Sequence, residues 1–191
     1  MTERSIAEKK ENIRRSFLHV RRSLSEVEHL ELSIRIADQL FNQHAFQKAD
    51  TVHTYVSMEE QREVSTTKII ETCFNMGKRV VVPKMKPNGK LSHHRIKSLD
   101  DLYTNEWGVK EPFKEDPVDV SELSLIIVPM AAADFSRNRI GYGKGYYDRF
   151  LKNSNSFSVG LCYNCTLSWS SLPVETFDEQ PNQVITENKV I

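Results

Sequence analysis

The sequence predicts an α/β fold of three layers, αβα, with a largely parallel central sheet and one antiparallel edge hairpin. Strand-like and helix-like segments alternate along the chain, the pattern of helices packed on both faces of a parallel sheet. The run LSLIIVP, residues 123–129, is continuously apolar, as suits a strand covered on both faces. Asn88-Gly89 separates two strand-like segments and marks a hairpin.

Each element follows from local pattern. Ile13, Phe17, Val20 and Leu24 recur at spacings of four, three and four, one stripe of a helix over residues 5–24. Ser25 and Glu28 form a capping box that starts a second helix, whose apolar stripe runs through Leu30, Ile34, Ala37 and Phe41. TVHTYV, residues 51–56, reads as a strand, and TTKIIETCFNMG, residues 66–77, as a helix closed by Gly77. RVVVP, residues 79–83, is a short buried strand, and LSHHRI, residues 91–96, is its return. A polar, proline-punctuated stretch separates these from the strand at 123–129. YYDRFLKN is then a helix, FSVGLC a strand, and QVITE a last strand at 183–187. At 191 residues, with no internal repeat, the chain is expected to form a single domain over residues 1–191.

Lys and Arg number 26, as do Asp and Glu, so the formal net charge is zero. That argues against a protein built to grip nucleic acid or an anionic membrane. No apolar run is long enough to span a bilayer. The start, MTERSIAEKKENIRR, is charged and lacks the apolar core of a secretory signal, so a cytoplasmic location is expected. Cys73, Cys162 and Cys165 make an odd number, which is no disulfide framework. Cys162 and Cys165 close an apolar run instead of opening a helix, and read as two small, partly buried thiols.

NRIGYGKGYYDRFL, residues 138–151, holds three of the chain's seven glycines: Gly141, Gly143 and Gly145. The loop lies between the apolar strand and the helix starting near Tyr146, so it is predicted at the carboxyl edge of the sheet, where open α/β folds bind ligands. Glycines allow positive φ and close approach of a ligand to backbone N–H groups. With Arg139 and Lys144 beside them, those groups read as a phosphate site. Neither the P-loop pattern nor the dinucleotide fingerprint fits the spacing, and a glycine-rich turn with a purely structural job is the alternative. Asp148 either complements the helix N-terminus or, beside phosphate, suits Mg²⁺. Tyr146 and Tyr147 either offer a flat face to a ring or pack as i, i+4 pairs with Phe150 and Leu151. Lys10, Arg14 and Arg21 line one helix face. A solvated stripe is the ordinary reading; the other is that Lys10 and Arg14 reach the phosphates, and periodicity leaves both open.

The combination resembles the 5-formyltetrahydrofolate cyclo-ligases (methenyltetrahydrofolate synthetases) over almost the whole chain. NRIGYGKGYYDRFL is similar to that family's R-[LI]-G-x-G-x-G-Y-Y-D loop, and KKENIRRSFLHVRRSLS to its opening K-x-x-x-R helix. YVSMEEQREVST resembles its strand ending in an acidic turn, NEWGVKEP its Gly-Ile-x-Glu-Pro segment, and LPVETFDEQPNQVITE its closing segment. The chain differs at Arg137 and Met130, where the family often has glycine, and at Phe177, where it often has histidine.

The resemblance implies cyclisation of 5-formyltetrahydrofolate to 5,10-methenyltetrahydrofolate with ATP and Mg²⁺, by a monomer. It implies an ATP site at Lys10, Arg14, Arg139, Ile140, Gly141, Tyr142, Gly143, Lys144, Gly145 and Tyr147. Lys144 and Arg139 are the implied catalytic residues, and Asp148 and Asp178 the Mg²⁺ ligands. Met58, Glu63, Trp107 and Tyr146 are the implied folate contacts, Glu63 bonding the donor edge of the pterin. Two rivals stand beside it: an α/β enzyme holding a sugar phosphate on the glycine loop, and a non-catalytic folate- or nucleotide-binding module.

Overall fold

Capping boxes open the first two helices. The hydroxyls of Ser5 and Ser25 each accept from a backbone N–H three residues on, and Glu8 and Glu28 reach back to the cap N–H. Helices α1 (Ile6–Arg22) and α2 (Glu26–Phe41) therefore begin at defined points. The structure, a computed structural model, describes residues 5–191; the charged residues 1–4, part of the stretch read as lacking a secretory signal, lie outside them.

The inward face of α2 differs from the predicted stripe. His29, Ser33, Ile36, Ala37 and Leu40 are buried, whereas Leu30 is 55% exposed. Hydrogen bonds set this phase: the His29 ring meets the Glu63 carbonyl at 2.6 Å, and the Ser33 hydroxyl meets that of Tyr163 at 2.9 Å. Apolar periodicity cannot register polar residues that turn inward because a partner waits there.

Further along come α3 (His44–Lys48), β1 (Thr51–His53), α4 (Thr67–Asn75), β2 (Arg79–Lys86), β3 (Lys90–Ile96), β4 (Leu102–Thr104), β5 (Lys110–Pro112) and β6 (Leu125–Pro129). They are followed by β7 (Ala132–Asp134), β8 (Arg139–Ile140), α5 (Tyr146–Lys152), β9 (Phe157–Leu161), β10 (Leu167–Ser168) and β11 (Gln183–Ile185). The central sheet has six strands in the order β11-β9-β6-β1-β2-β3. All neighbours are parallel except β2 and β3, which form the predicted antiparallel edge with Val81 opposite Arg95 and Lys86 opposite Lys90.

The pleat divides the core. Val80, Val82, Leu125 and Ile127 face α2, α3 and α4, packing with Ile36, Leu40, Phe46, Ile69 and Ile70. The alternate residues Val81, Ile126 and Val128 pack with Phe150 and Leu151 of α5. Three layers result, as predicted. Helix α1 stands apart from this sandwich: Ile13 and Phe17 pack against Ala132, Ile140 and Leu172 beside the small sheet β10-β7-β8. That small sheet and the β4–β5 ribbon are not legible in the sequence, because strands of two or three residues are too short to carry a period. The hairpin β7–β8 intervenes between β6 and the loop glycines.

Among the described residues no helix is long and apolar enough to cross a membrane. All three cysteines are free; Cys73 and Cys162 are buried, and burial pushes their thiols up to about 12. Such thiols are unreactive near neutral pH.

His53 on β1 and His93 on β3 lie beneath α5, with Nε2 of one 3.1 Å from Nδ1 of the other and both rings against Phe150. Desolvation pulls His53 well below the ordinary imidazole value and His93 to about 4. Folded, both are neutral near pH 7; unfolded, each gains a proton near pH 6.5. The unfolded chain thus binds more protons between those values, so this contribution to stability is full above pH 6.5 and drains as pH falls towards 4. Urea midpoints measured from pH 7 to pH 4 should fall more steeply for the wild type than for His93→Gln; equal slopes would contradict the assignment.

Candidate active site

A cavity of about 650 Å³ opens at the carboxyl ends of β1, β2 and β6. That volume is within the range of about 300–1,000 Å³ usual for small-molecule sites. Tyr55, Val56 and Met58 after β1, Pro83 and Met85 on β2, and Pro129 on β6 supply apolar wall. Lys10, Arg14, Arg139 and Lys144 supply positive charge to the same cavity, and Glu63, Asp148, Glu175 and Asp178 supply carboxylates.

The glycine loop forms part of the lining, as predicted, but its three glycines do different work. Gly143 and Gly145 have φ of +84° and +66°, which L side chains rarely adopt. Gly141 has no positive φ, and a Cβ there would come no closer than 3.5 Å to Arg139. Arg149, one turn into α5, passes beside Gly145: a Cβ at that position would stand 2.8 Å from its guanidinium. From there Arg149 donates to the carbonyl of Lys144 at 2.5 Å and to that of Gly89 at 2.8 Å, tying the loop to the β2–β3 turn. Arg14 donates to the carbonyl of Gly141 at 2.7 Å. Helix α5 has only seven residues and no side-chain cap, so its dipole is weak and most of the site's positive charge comes from side chains. The Lys144 ammonium is exposed and has no partner among the described residues.

The basic stripe of α1 turns inward. Its buried residues are Lys10, 8% exposed, and Arg21, 2% exposed, so the solvated reading fails at both. Lys10 donates to Glu175 at 2.8 Å and Asp178 at 2.5 Å, with its ammonium 5.6 Å from the Phe177 ring. Arg139 donates to Asp148 at 2.6 Å. The same Asp148 oxygen accepts from the amide of Glu179, so Asp148 sits beside the segment that carries Asp178. Among the described residues no group of three or more His, Cys, Asp or Glu is arranged to hold a metal. Two carboxylates with spare lone pairs, lining a cavity beside a phosphate-type loop, are a donor set that fits Mg²⁺, which keeps water and phosphate oxygens for most of its shell.

Glu63, 4% exposed, carries a carboxylate with three protein groups around it. The Met58 amide donates to one oxygen at 2.7 Å and the Tyr142 hydroxyl to the other at 2.5 Å. Arg21 in turn donates to the Tyr142 hydroxyl at 2.6 Å. Burial raises the carboxyl above its ordinary range, while those two hydrogen bonds and the Arg21 charge hold it down. Sequence reasoning missed Arg21 and Arg149; only the stripe through Lys10, Arg14 and Arg21 pointed towards the first. Tyr142, whose place in the nucleotide site was implied by the resemblance, has its hydroxyl on Glu63. Tyr146 and Tyr147 line the cavity, the Tyr147 hydroxyl buried and without a hydrogen-bond partner among the described residues. Trp107 is not brought to the site in this structure: it is 68% exposed and outside the lining, although Val109, Lys110 and Glu111 just beyond it belong to the lining.

The profile of the 5-formyltetrahydrofolate cyclo-ligase family matches residues 6–187. The chain belongs to that family. It is 30% identical to the 5-formyltetrahydrofolate cyclo-ligase of Escherichia coli (strain K12) over 177 residues, covering 89% of this chain and 96% of that one. The NMR structure of Aquifex aeolicus 5,10-methenyltetrahydrofolate synthetase superposes with a TM-score of 0.83 at 30% identity, over 95% of this chain and 91% of that one. A 5,10-methenyltetrahydrofolate synthetase from Mycoplasma pneumoniae shares the fold, with a TM-score of 0.76 at 19% identity, over 93% of this chain and 98% of that one.

The unequal roles of the loop glycines are measurable. Gly145→Ala should cost about 1–2 kcal/mol for the left-handed backbone alone. Gly141→Ala should change stability by less than about 0.5 kcal/mol, as at an unconstrained position. Denaturant midpoints for the two variants should separate accordingly; similar losses at both would refute the assignment.

Proposed function

We propose that this protein joins ATP hydrolysis to the cyclisation of 5-formyltetrahydrofolate, giving 5,10-methenyltetrahydrofolate, ADP and phosphate. The observation that carries this reading is that the glycine loop, its cations and the buried Glu63 carboxylate all open on one cavity. A sugar-phosphate enzyme would need a single phosphate cradle, and would have no use for the paired aspartates or the remote Lys10 and Arg14 as ligand contacts.

The chemical problem is that formyl oxygen is a poor leaving group. In the proposed sequence that oxygen attacks the γ-phosphorus and ADP departs. N10 then adds to the activated carbon and loses its proton, and phosphate leaves as the ring closes. Little covalent work falls to the protein; positioning and charge do most of it.

Arg139, Lys144, Lys10 and Arg14, with the amides of Ile140, Gly141, Tyr142, Gly143 and Gly145, would hold the triphosphate. Tyr147 would pack alongside. Asp148 and Asp178 would hold Mg²⁺, which would neutralise phosphate charge. Glu63 would accept from the donor edge of the pterin, with Met58 and Tyr146 as apolar and stacking walls. Trp107 joins this set only if the segment before Val109 moves inward when the folate binds.

Lys144 is assigned the charge that builds on the transferring phosphoryl group, because its ammonium carries no carboxylate to be displaced. Removing one such preorganised group typically costs about 10²–10³ in turnover. Lys144→Ala should therefore lower kcat by that order while leaving the thermal midpoint unchanged, since the side chain is exposed. The readout is absorbance of methenyltetrahydrofolate with and without ATP. Wild-type binding of both ligands without turnover would instead favour a non-catalytic module.

A further inference from the structure

Tyr142 belongs to the glycine loop by sequence and to Glu63 by contact. Its hydroxyl donates to the carboxylate at 2.5 Å and accepts from Arg21 at 2.6 Å, with the guanidinium 5.6 Å from the ring centre. The Arg21 fork also donates to the carbonyls of Gln61 at 2.8 Å and Met130 at 3.2 Å, so it is fixed from the segment before Glu63 and from the end of β6. We propose that Tyr142 is a positioning residue coupling the two parts of the cavity: a ligand bound on Glu63 tightens polyphosphate binding at the glycine loop, and the reverse. This rests on the reading of Glu63 as the folate contact and of the loop as the nucleotide contact.

The argument is one of shared order. Each oxygen of Glu63 already takes one protein donor, the Met58 amide on one and the Tyr142 hydroxyl on the other. An ionised carboxylate offers about four lone-pair directions, so a ring presenting two donors uses those that are left. Such a ligand immobilises the carboxylate, and the carboxylate immobilises the phenol. Tyr142 is flanked by Gly141 and Gly143, the second at φ +84°, next to the exposed Lys144. Arg14 and Arg149 hold loop carbonyls from the loop's own side. Tyr142 is the loop side chain that reaches the folate contact. Ordering it with one ligand removes part of the entropy that the second would otherwise lose, and linkage makes the effect reciprocal.

Calorimetry on the full chain tests this with a non-hydrolysable ATP analogue and Mg²⁺, titrated with and without saturating 5-formyltetrahydrofolate. The wild type should bind the analogue about 5- to 20-fold more tightly when folate is present, within the usual span of such couplings. The reverse titration should give the same factor. Tyr142→Phe keeps the ring over Arg21 and removes only the hydroxyl; its factor should fall below about 2. If that variant does not fold, Arg21→Lys, which keeps the charge but breaks the fork, should lower the factor in the same way. A variant that loses affinity for both ligands yet keeps the ratio would show a merely structural tyrosine and overturn the proposal. A wild type that binds both ligands without coupling would overturn it too, while leaving the proposed activity standing. A wild type that binds only one ligand, or neither, would overturn both.

Discussion

Cations out of water must be partnered, and this requirement organises the cavity. An unpaired buried charge costs several kcal/mol, so side chains that are to meet an anionic ligand must be compensated while they wait. Arg139 is held by Asp148, Lys10 by Glu175 and Asp178, and Arg21 by the Tyr142 hydroxyl and two carbonyls. Opposite charges therefore interleave around one opening, and formal neutrality of the chain coexists with strong local fields. An anion arriving at Arg139 or Lys10 competes with an existing carboxylate. One arriving at Lys144 displaces no carboxylate among the described residues.

The fold supplies the rigid parts of this arrangement and leaves the loop to its anchors. β1, β2 and β6 end at the cavity with residues fixed by sheet packing on both sides. The glycine loop follows a two-residue strand and precedes a seven-residue helix, neither of which confers much stiffness. Its shape is set by Arg14 on the Gly141 carbonyl, Arg149 on the Lys144 carbonyl and Tyr142 on Glu63. These anchors come from α1, α5 and the turn after β1, so the loop is positioned by elements far apart in sequence. Two of its glycines are the backbone's side of the bargain: positive φ at Gly143 and Gly145, and at Gly145 no Cβ to meet Arg149.

This division explains what could be read from the sequence. The α/β class, the buried strands and the antiparallel edge were legible because periodicity and apolar runs report burial directly. The loop was legible because glycine is the residue that turns left-handed without strain, as at Gly143 and Gly145. The direction of the α1 stripe was not legible: at helical spacing Lys10 reads the same whether it faces water or a carboxylate that arrives 165 residues later, and Arg21 the same whether it faces water or the carbonyls of Gln61 and Met130. Nor was the phase of α2, where His29 and Ser33 face inward for partners on other elements. The partner of the Tyr142 hydroxyl was not legible either, because a position in the chain fixes the backbone and leaves the side chain free to reach Glu63. Trp107 likewise shows a segment matching a family pattern without its ring standing in the cavity.

The positions where this chain departs from the usual family residues follow the same logic. Arg137 holds φ +66°, a conformation that glycine adopts without strain and that costs other residues about 1–2 kcal/mol. The turn is over-determined around it: one Asp134 oxygen accepts from the amides of Ser136 and Asn138, the other from the Leu172 amide and the Asn138 side chain, and Arg137 itself donates to the Asn182 carbonyl. Met130 contributes its carbonyl to Arg21, and its methyl lies where a Cβ on Gly160 would be, so the bulk gained after β6 is matched by bulk absent on β9. Phe177 stands beside Lys10 with ring instead of imidazole, offering the ammonium a π-face but no second titrating group. Neither Arg137 nor Met130 lines the cavity, whereas the Phe177 side chain does. Of the three, Phe177 is therefore the one able to alter the chemistry as well as the scaffold.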